Sequence, residues 1–166
     1  MGVPALAMSN ESFGSSTECA AASTDQQRVV VLLPCYNEER DLPPLLDRIA
    51  ETFATSQFDL QIVVVDDGST DGTVRIAQKA AEYLPLLLIQ HPYNLGLGAA
   101  LRTGLNALAE FDGVVITMDA DNSHDPALIP AMIERIGEGY DVVIASRFQR
   151  GGEMIGVQLH RRILSR

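Results

Sequence analysis

Acidic and hydroxyl-bearing residues gather in three short runs, each placed directly after an apolar stretch. They are Pro34-Cys35-Tyr36-Asn37-Glu38-Glu39, Asp66-Asp67-Gly68-Ser69-Thr70-Asp71-Gly72-Thr73 and Asp119-Ala120-Asp121-Asn122-Ser123-His124-Asp125-Pro126. Carboxylates brought close together repel one another unless hydrogen-bond donors or a cation neutralise them. An Asp-x-Asp pair such as Asp119 and Asp121 offers hard oxygen ligands to Mg²⁺ or Mn²⁺, which keep waters and substrate phosphates as their other ligands. Taken singly, each run has a plainer reading. Asp and Gly are common turn residues, Asp71 can cap a helix, and short Asp-x-Asp matches arise by chance. Three such runs, each at the end of an apolar stretch, point instead to one shared metal-assisted site.

The elements that must position these runs alternate along the chain. Val29–Leu33 is a β-branched run ended by Pro34, as in a strand buried on both faces. Asp41 can cap the next helix, whose first turn tolerates Pro43 and Pro44 and whose apolar face is Leu42, Leu45, Leu46, Ile49 and Phe53. Further strands are expected at 62–65, 86–89, 114–118 and 142–145, with helices at about 72–83, from the Asn94–Gly98 turn to about Glu110, and at 126–136. The fold class is therefore α/β, a three-layer sandwich around a mostly parallel central sheet. Right-handed crossovers would set the strand C-terminal ends, and the three polar runs with them, along one edge of that sheet.

The 166 residues suffice for one domain and are too few for two ordinary ones. A composition 46% apolar and 20% charged excludes wholesale disorder. Residues 1–27 are an exception: rich in Ser, Thr, Ala and Gly and without apolar period, they read as a disordered leader to a domain spanning 28–166. The net charge of −10 argues against nucleic acid as a partner. It is unevenly spread. Residues 1–145 hold seven basic against 21 acidic residues, while 146–166 hold five arginines against Glu153 alone, a basic strip suited to phosphate. Cys19 and Cys35 make no disulfide framework and read as free thiols in a reducing compartment, with no apolar run long enough to span a membrane. A cytoplasmic protein is expected. The final segment looks like a helix just begun, so the domain is expected to be incomplete at its C-terminus.

With Asn94-Leu95-Gly96-Leu97-Gly98, Met118-Asp119-Ala120-Asp121 and Ser146-Arg147-Phe148, the runs beginning at Pro34 and Val65 resemble glycosyltransferase family 2, whose fold is the GT-A type. Within it the likeness is greatest to polyprenol-phosphate glycosyltransferases of the dolichol-phosphate mannose synthase type, and it covers about residues 28–166. The resemblance implies that Pro34, Tyr36 and Glu38 line a nucleotide pocket and that Asp67 accepts a hydrogen bond from the nucleobase. It implies that Asp119 approaches the donor ribose and the metal, that Asp121 is the principal metal ligand, and that Arg147 and Arg161 hold the phosphate of a lipid acceptor. Ser123 stands where some members carry Gln. Its shorter hydroxyl is a weaker ligand for the metal, and a water would bridge there.

The implied reaction moves a sugar, with inversion, from a nucleoside-diphosphate sugar such as GDP-mannose or UDP-glucose to polyprenyl phosphate. Asp119 and Asp121 would serve catalysis through Mg²⁺ or Mn²⁺ at the leaving diphosphate. A phosphate acceptor is already mostly dianionic at neutral pH and needs arginines in place of a protein base. A family 2 enzyme with a hydroxyl acceptor, and a non-catalytic fragment that binds nucleotide sugar, are the alternatives. A sugar nucleotidyltransferase would carry a Gly-rich basic loop where Pro34–Glu39 stands. Gly96 and Gly98 make no dinucleotide fingerprint, because the third glycine is replaced by Leu101. The full-length protein would work at the cytoplasmic face of a membrane.

Overall fold

The computed structural model describes residues 26–146. Four strands, β1 (Arg28–Cys35), β2 (Asp59–Asp66), β3 (Leu86–Gln90) and β4 (Val114–Thr117), form one parallel sheet in the order β3-β2-β1-β4. Helices α1 (Leu42–Phe53), α2 (Thr73–Ala80) and α3 (Leu97–Ala107) are the crossovers, and α4 (Ile129–Gly137) follows β4 behind a short 3₁₀ turn at Pro126–Leu128. The chain first winds outward from β1 to β3, then returns across the sheet to set β4 on the other side of β1. That reversal leaves a crevice beyond the C-terminal ends of β1 and β4, where open parallel sheets bind ligands.

The strand periodicity decides which residues face which layer. Val29, Val31, Leu33, Ile62 and Val64 pack with Leu42, Leu45, Leu46, Ile49 and Ala77 of α1 and α2 and with Ile129 and Ile133 of α4. The alternate residues Val30, Leu32, Val63 and Val65 pack on the opposite face with Ala100 of α3. Both faces of β1 and of the Ile62–Val65 half of β2 are thus apolar, which is why those stretches run without polar interruption. Each fully buried Val, Leu or Ile contributes about 1.5–3 kcal/mol relative to exposure. Arg28, at the start of β1, lies 4.8 Å from the ring centre of Phe111 in the connection to β4.

Two local expectations fail. Asp41 sits at the N-terminus of α1 yet its side chain makes no capping bond, because the positions it would accept from, Pro43 and Pro44, have no N–H; the Asp41 and Leu42 N–H groups donate to the Glu38 carbonyl. The strand expected at 142–145 is not formed. Val142 and Ile144 are 73% and 80% exposed, and residues 141–144 stand beside β4 across a cavity of about 250 Å³. A β-branched run becomes a strand only where a ladder partner takes its backbone groups, and across that gap β4 does not. Residues 1–25, including Cys19, and residues 147–166 lie outside the described residues.

Helix α3 approaches β1 closely because Gly104 has no side chain: a Cβ there would press on the Leu32 side chain, with Cδ2 2.9 Å away. Leu32 is fully buried and has nowhere to move. Gly104→Val is therefore expected to destabilise the fold by about 1–3 kcal/mol, the usual cost of overpacking, read from urea denaturation. A variant as stable as the parent would show that α3 is not seated on β1 in this way.

Candidate active site

The loops after β1 and β2 are zipped together by side chains. Asn37 adopts a left-handed conformation (φ 59°), its N–H donates to Ser69 Oγ at 2.9 Å, and its Oδ1 accepts from the Thr70 N–H at 2.8 Å. The Glu38 N–H donates to Thr73 Oγ1 at 2.8 Å, the Glu39 N–H to Asp71 Oδ2 at 3.1 Å, and the Gly72 N–H to Glu39 Oε2 at 2.9 Å. Asp71 also accepts from the Thr73 N–H and hydroxyl at the start of α2. The cap position of α2 is Gly72, so Asp71 does not cap that helix as expected; it accepts from the first helical residue and joins two site loops.

Asp67, just past β2, is buried and takes three donors. Oδ1 accepts from the Leu95 N–H at 2.9 Å and lies 2.7 Å from His91 Nδ1, while Oδ2 accepts from the Gly96 N–H at 2.7 Å. Burial pushes this carboxyl up, but the bonds from His91, Leu95 and Gly96 outweigh it and hold it below the ordinary range. Asp67 therefore fixes the turn that opens α3. Gly68 makes the close approach possible: its φ is +73°, and a Cβ would press on the Tyr93 backbone and lie 2.7 Å from the Asn94 nitrogen.

On the β4 side, the Ser123 N–H donates to Asp121 Oδ1 at 3.0 Å. Bonding to the Ser123 side chain outweighs burial and holds the Asp121 carboxyl below its usual value. Arg48 of α1 grips the same loop, with Nη1 donating to Asn122 Oδ1 and Nη2 to Asp125 Oδ1, both at 2.7 Å. Asn122 is the second non-glycine residue in a left-handed conformation (φ 57°) among the described residues. The Arg48–Asp125 pair is partly exposed, so its worth lies in fixing the loop's shape more than in stability.

Pro34, Tyr36, Glu38, Asp67, Asp119 and Asp121 all line one cavity of about 380 Å³ at the β1/β4 crevice. The six residues come from three chain segments up to 87 positions apart, yet the fold brings them to one place. Ser123 is not among the lining residues and bonds to Asp121 instead. Arg147 and Arg161 lie outside the described residues. Sequence reasoning missed His91 and Arg48, whose side-chain partners lie 12 and 24, and 74 and 77, positions away and leave no local signature. Cys35 also reaches the cavity wall, but its buried thiol is pushed well up by burial, then by Glu38 and Asp66, and is a poor nucleophile.

Charge at this site is one-sided. Burial raises the Glu38 carboxyl, and Asp121, Asp41, Asp71 and Asp119 each push it further in the same direction. Among the described residues, no group of three or more His, Cys, Asp or Glu side chains is placed to enclose a metal. Asp119 and Asp121 instead form an open pair of hard oxygen donors, and the excess negative charge felt at Glu38 fits a divalent cation whose other ligands come from substrate and water.

The family described as "Glycosyl transferase family 2" matches residues 30–165, and the chain belongs to that family. It is 35% identical over 139 residues to a dolichol-phosphate mannosyltransferase of Pyrococcus furiosus, covering 84% of this chain and 38% of that protein. It is 35% identical over 143 residues to a polyprenol monophosphomannose synthase of Mycolicibacterium smegmatis, covering 84% of this chain and 52% of that one. The chain thus spans about half or less of the length of these relatives. Among solved structures it resembles a mannosyltransferase of Pyrobaculum calidifontis in complex with GDP-Man and Mn²⁺, with 37% identity and a TM-score of 0.50 over 59% of this chain and 28% of that one. It also resembles a glucosyl-3-phosphoglycerate synthase of Mycobacterium tuberculosis in complex with Mn²⁺, UDP and glucosyl-3-phosphoglycerate, with 27% identity and a TM-score of 0.51 over 66% and 39%. The α/β fold is of the GT-A type, and the chain covers part of it.

Gly68→Ala tests the geometry directly. The added methyl group would push the Tyr93–Asn94 backbone away and break the Asp67 bonds to Leu95 and Gly96. Hydrogen-exchange protection of those two amides is expected to be lost, with a stability loss of about 1–3 kcal/mol. Protection retained at both amides would contradict the assignment.

Proposed function

We propose that this chain forms the donor-binding part of a metal-dependent, inverting glycosyltransferase that moves mannose or glucose from a nucleoside-diphosphate sugar to polyprenyl phosphate. The observation that carries the reading is the meeting of Asp67, Glu38 and the Asp119–Asp121 pair in one crevice beside Pro34 and Tyr36. Tyr36, 45% exposed, offers a ring face for the base or ribose at the mouth of the cavity. Asp67 accepts from the base, Asp119 reaches the ribose and shares the cation, and Asp121 is its main protein ligand. When bound there, Mg²⁺ or Mn²⁺ supplies positive charge against the leaving diphosphate. Support for the choice of substrates comes from relatives named for transfer to dolichol or polyprenol phosphates, and from a structural neighbour holding GDP-Man and Mn²⁺.

The acceptor side rests on the arginines. Arg147 and Arg161, in the basic strip at the end of the chain, hold the acceptor phosphate, since a guanidinium fork donates two parallel bonds to its oxygens. Among the described residues no helix is long and apolar enough to cross a membrane. Work at the cytoplasmic face of a membrane, where a lipid phosphate is presented, follows from the acceptor.

Calorimetry with GDP-mannose and UDP-glucose, each with Mn²⁺ or with EDTA, tests the reading. At least one donor is expected to bind with metal and to lose about tenfold or more in affinity in EDTA. Asp121→Asn should reproduce that loss in the presence of metal, while Glu134→Gln on α4 should not. Binding undiminished in EDTA and in Asp121→Asn would end the metal role. Transfer of sugar from the bound donor to polyprenyl phosphate, by the full-length protein, tests the acceptor.

A further inference from the structure

Among the donors on Asp67, two are backbone amides fixed by the turn, and the third is a side chain. His91 follows β3, and its side chain is 9% exposed, against 4% for Asp67. Its ring spans two elements: Nδ1 faces Asp67 Oδ1 at 2.7 Å and Nε2 faces Thr103 Oγ1 of α3 at 2.9 Å. Asp67 is held in its ionised form and can only accept, so Nδ1 must carry a proton. That fixes the tautomer or charge state of the ring from one side, while the Thr103 hydroxyl, able to donate or accept, adapts on the other. The His91 N–H donates to Asp66 O at 2.8 Å, which anchors the backbone of the same residue to β2.

The bond count has a consequence for the pocket. Oδ1 of Asp67 already has two donors, His91 and Leu95, and a carboxylate oxygen carries about two lone-pair sites. Oδ2 has one, Gly96, and keeps acceptor capacity for a further donor. We infer that His91 is a positioning residue for the donor nucleotide: by occupying Oδ1 and bracing against Thr103, it turns Oδ2 of Asp67 toward the nucleobase. Without the imidazole, Oδ1 would regain a vacant acceptor site and compete with Oδ2 for the base, and the carboxylate would be held by the Leu95 and Gly96 amides alone. The base would then meet two competing acceptor oxygens in place of one, and affinity would fall although no group touching the nucleotide had been removed. This inference rests on the reading of the cavity as a donor site.

Two measurements on the 166-residue chain test it. The first needs no nucleotide: ¹⁵N-edited spectra of the histidine side chains should show His91 with a protonated Nδ1 in the parent, and a ring protonated at Nε2 alone would overturn the inference. The second is calorimetry with GDP and UDP in Mn²⁺. His91→Ala is expected to weaken binding about tenfold, the scale of one charge-assisted hydrogen bond. His91→Asn, whose amide nitrogen can stand where Nδ1 does, should recover most of it; His91→Gln, whose amide reaches toward the Nε2 position, should not. Thr103→Val, which leaves the Asp67 bond in place but releases the far side of the ring, should cost about two- to threefold and covers the case in which His91→Ala fails to fold. Equal affinity in His91→Ala, or rescue by Gln and not Asn, would overturn the role of His91 alone. A parent that binds neither nucleotide would remove the donor reading and this inference with it, whatever the tautomer.

Discussion

Four carboxylates, those of Glu38, Asp67, Asp119 and Asp121, face one cavity at the end of a parallel sheet, and the surrounding structure is organised by the need to hold negative charge there. The fold meets that need in two ways. Asp67 is satisfied from within, by two amides of the turn before α3 and by His91. Around Glu38, burial and four neighbouring carboxylates all favour the protonated acid, and a cation bound there would offset that charge. The same crevice therefore has a rigid half, suited to a base, and an electrostatically open half, suited to a metal diphosphate.

The sheet explains why both halves meet. Strands β1 and β2 are buried on both faces, so their register is tightly specified and the residues leaving their ends are aimed without slack. The order reversal at β1 and β4 sets the Asp119–Asp121 loop opposite the Pro34–Glu38 loop. Arg48 then reaches across from α1 to hold Asn122 and Asp125, so the loop that carries the two aspartates is tied to the helix that begins beside Glu38. Such exposed ties add little to stability, yet they narrow the positions open to Asp119 and Asp121.

Much of this was legible in the sequence, for reasons that also mark where legibility stops. The runs Val29–Leu33 and Ile62–Val65 announce buried parallel strands because every residue must be apolar there, and the polar runs after them fall at the sheet edge by topology alone. The run Val142–Ala145 looks the same and is not a strand, because apolar composition is local while a ladder needs a partner at hydrogen-bonding distance. Asp41 illustrates the same limit at a helix start: the residue type permits a cap, but the positions whose N–H groups it would accept from are Pro43 and Pro44, which have none. His91 and Arg48 carry no motif at all. Their significance is a matter of which loops the fold brings to them.

The central claim is that the β1/β4 crevice holds a divalent cation together with a nucleoside diphosphate. Paramagnetic broadening by Mn²⁺ in amide-resolved spectra tests it most directly. The account predicts that, with nucleoside diphosphate present, broadening centres on Glu38, Asp119 and Asp121 and spares Glu134 and Glu138 on the far part of α4 and its end. It also predicts that omitting the nucleotide weakens the effect, because two carboxylates alone make a poor site for the ion. Broadening spread over the acidic surface, or centred away from Asp119 and Asp121 whether or not nucleotide is added, would contradict it.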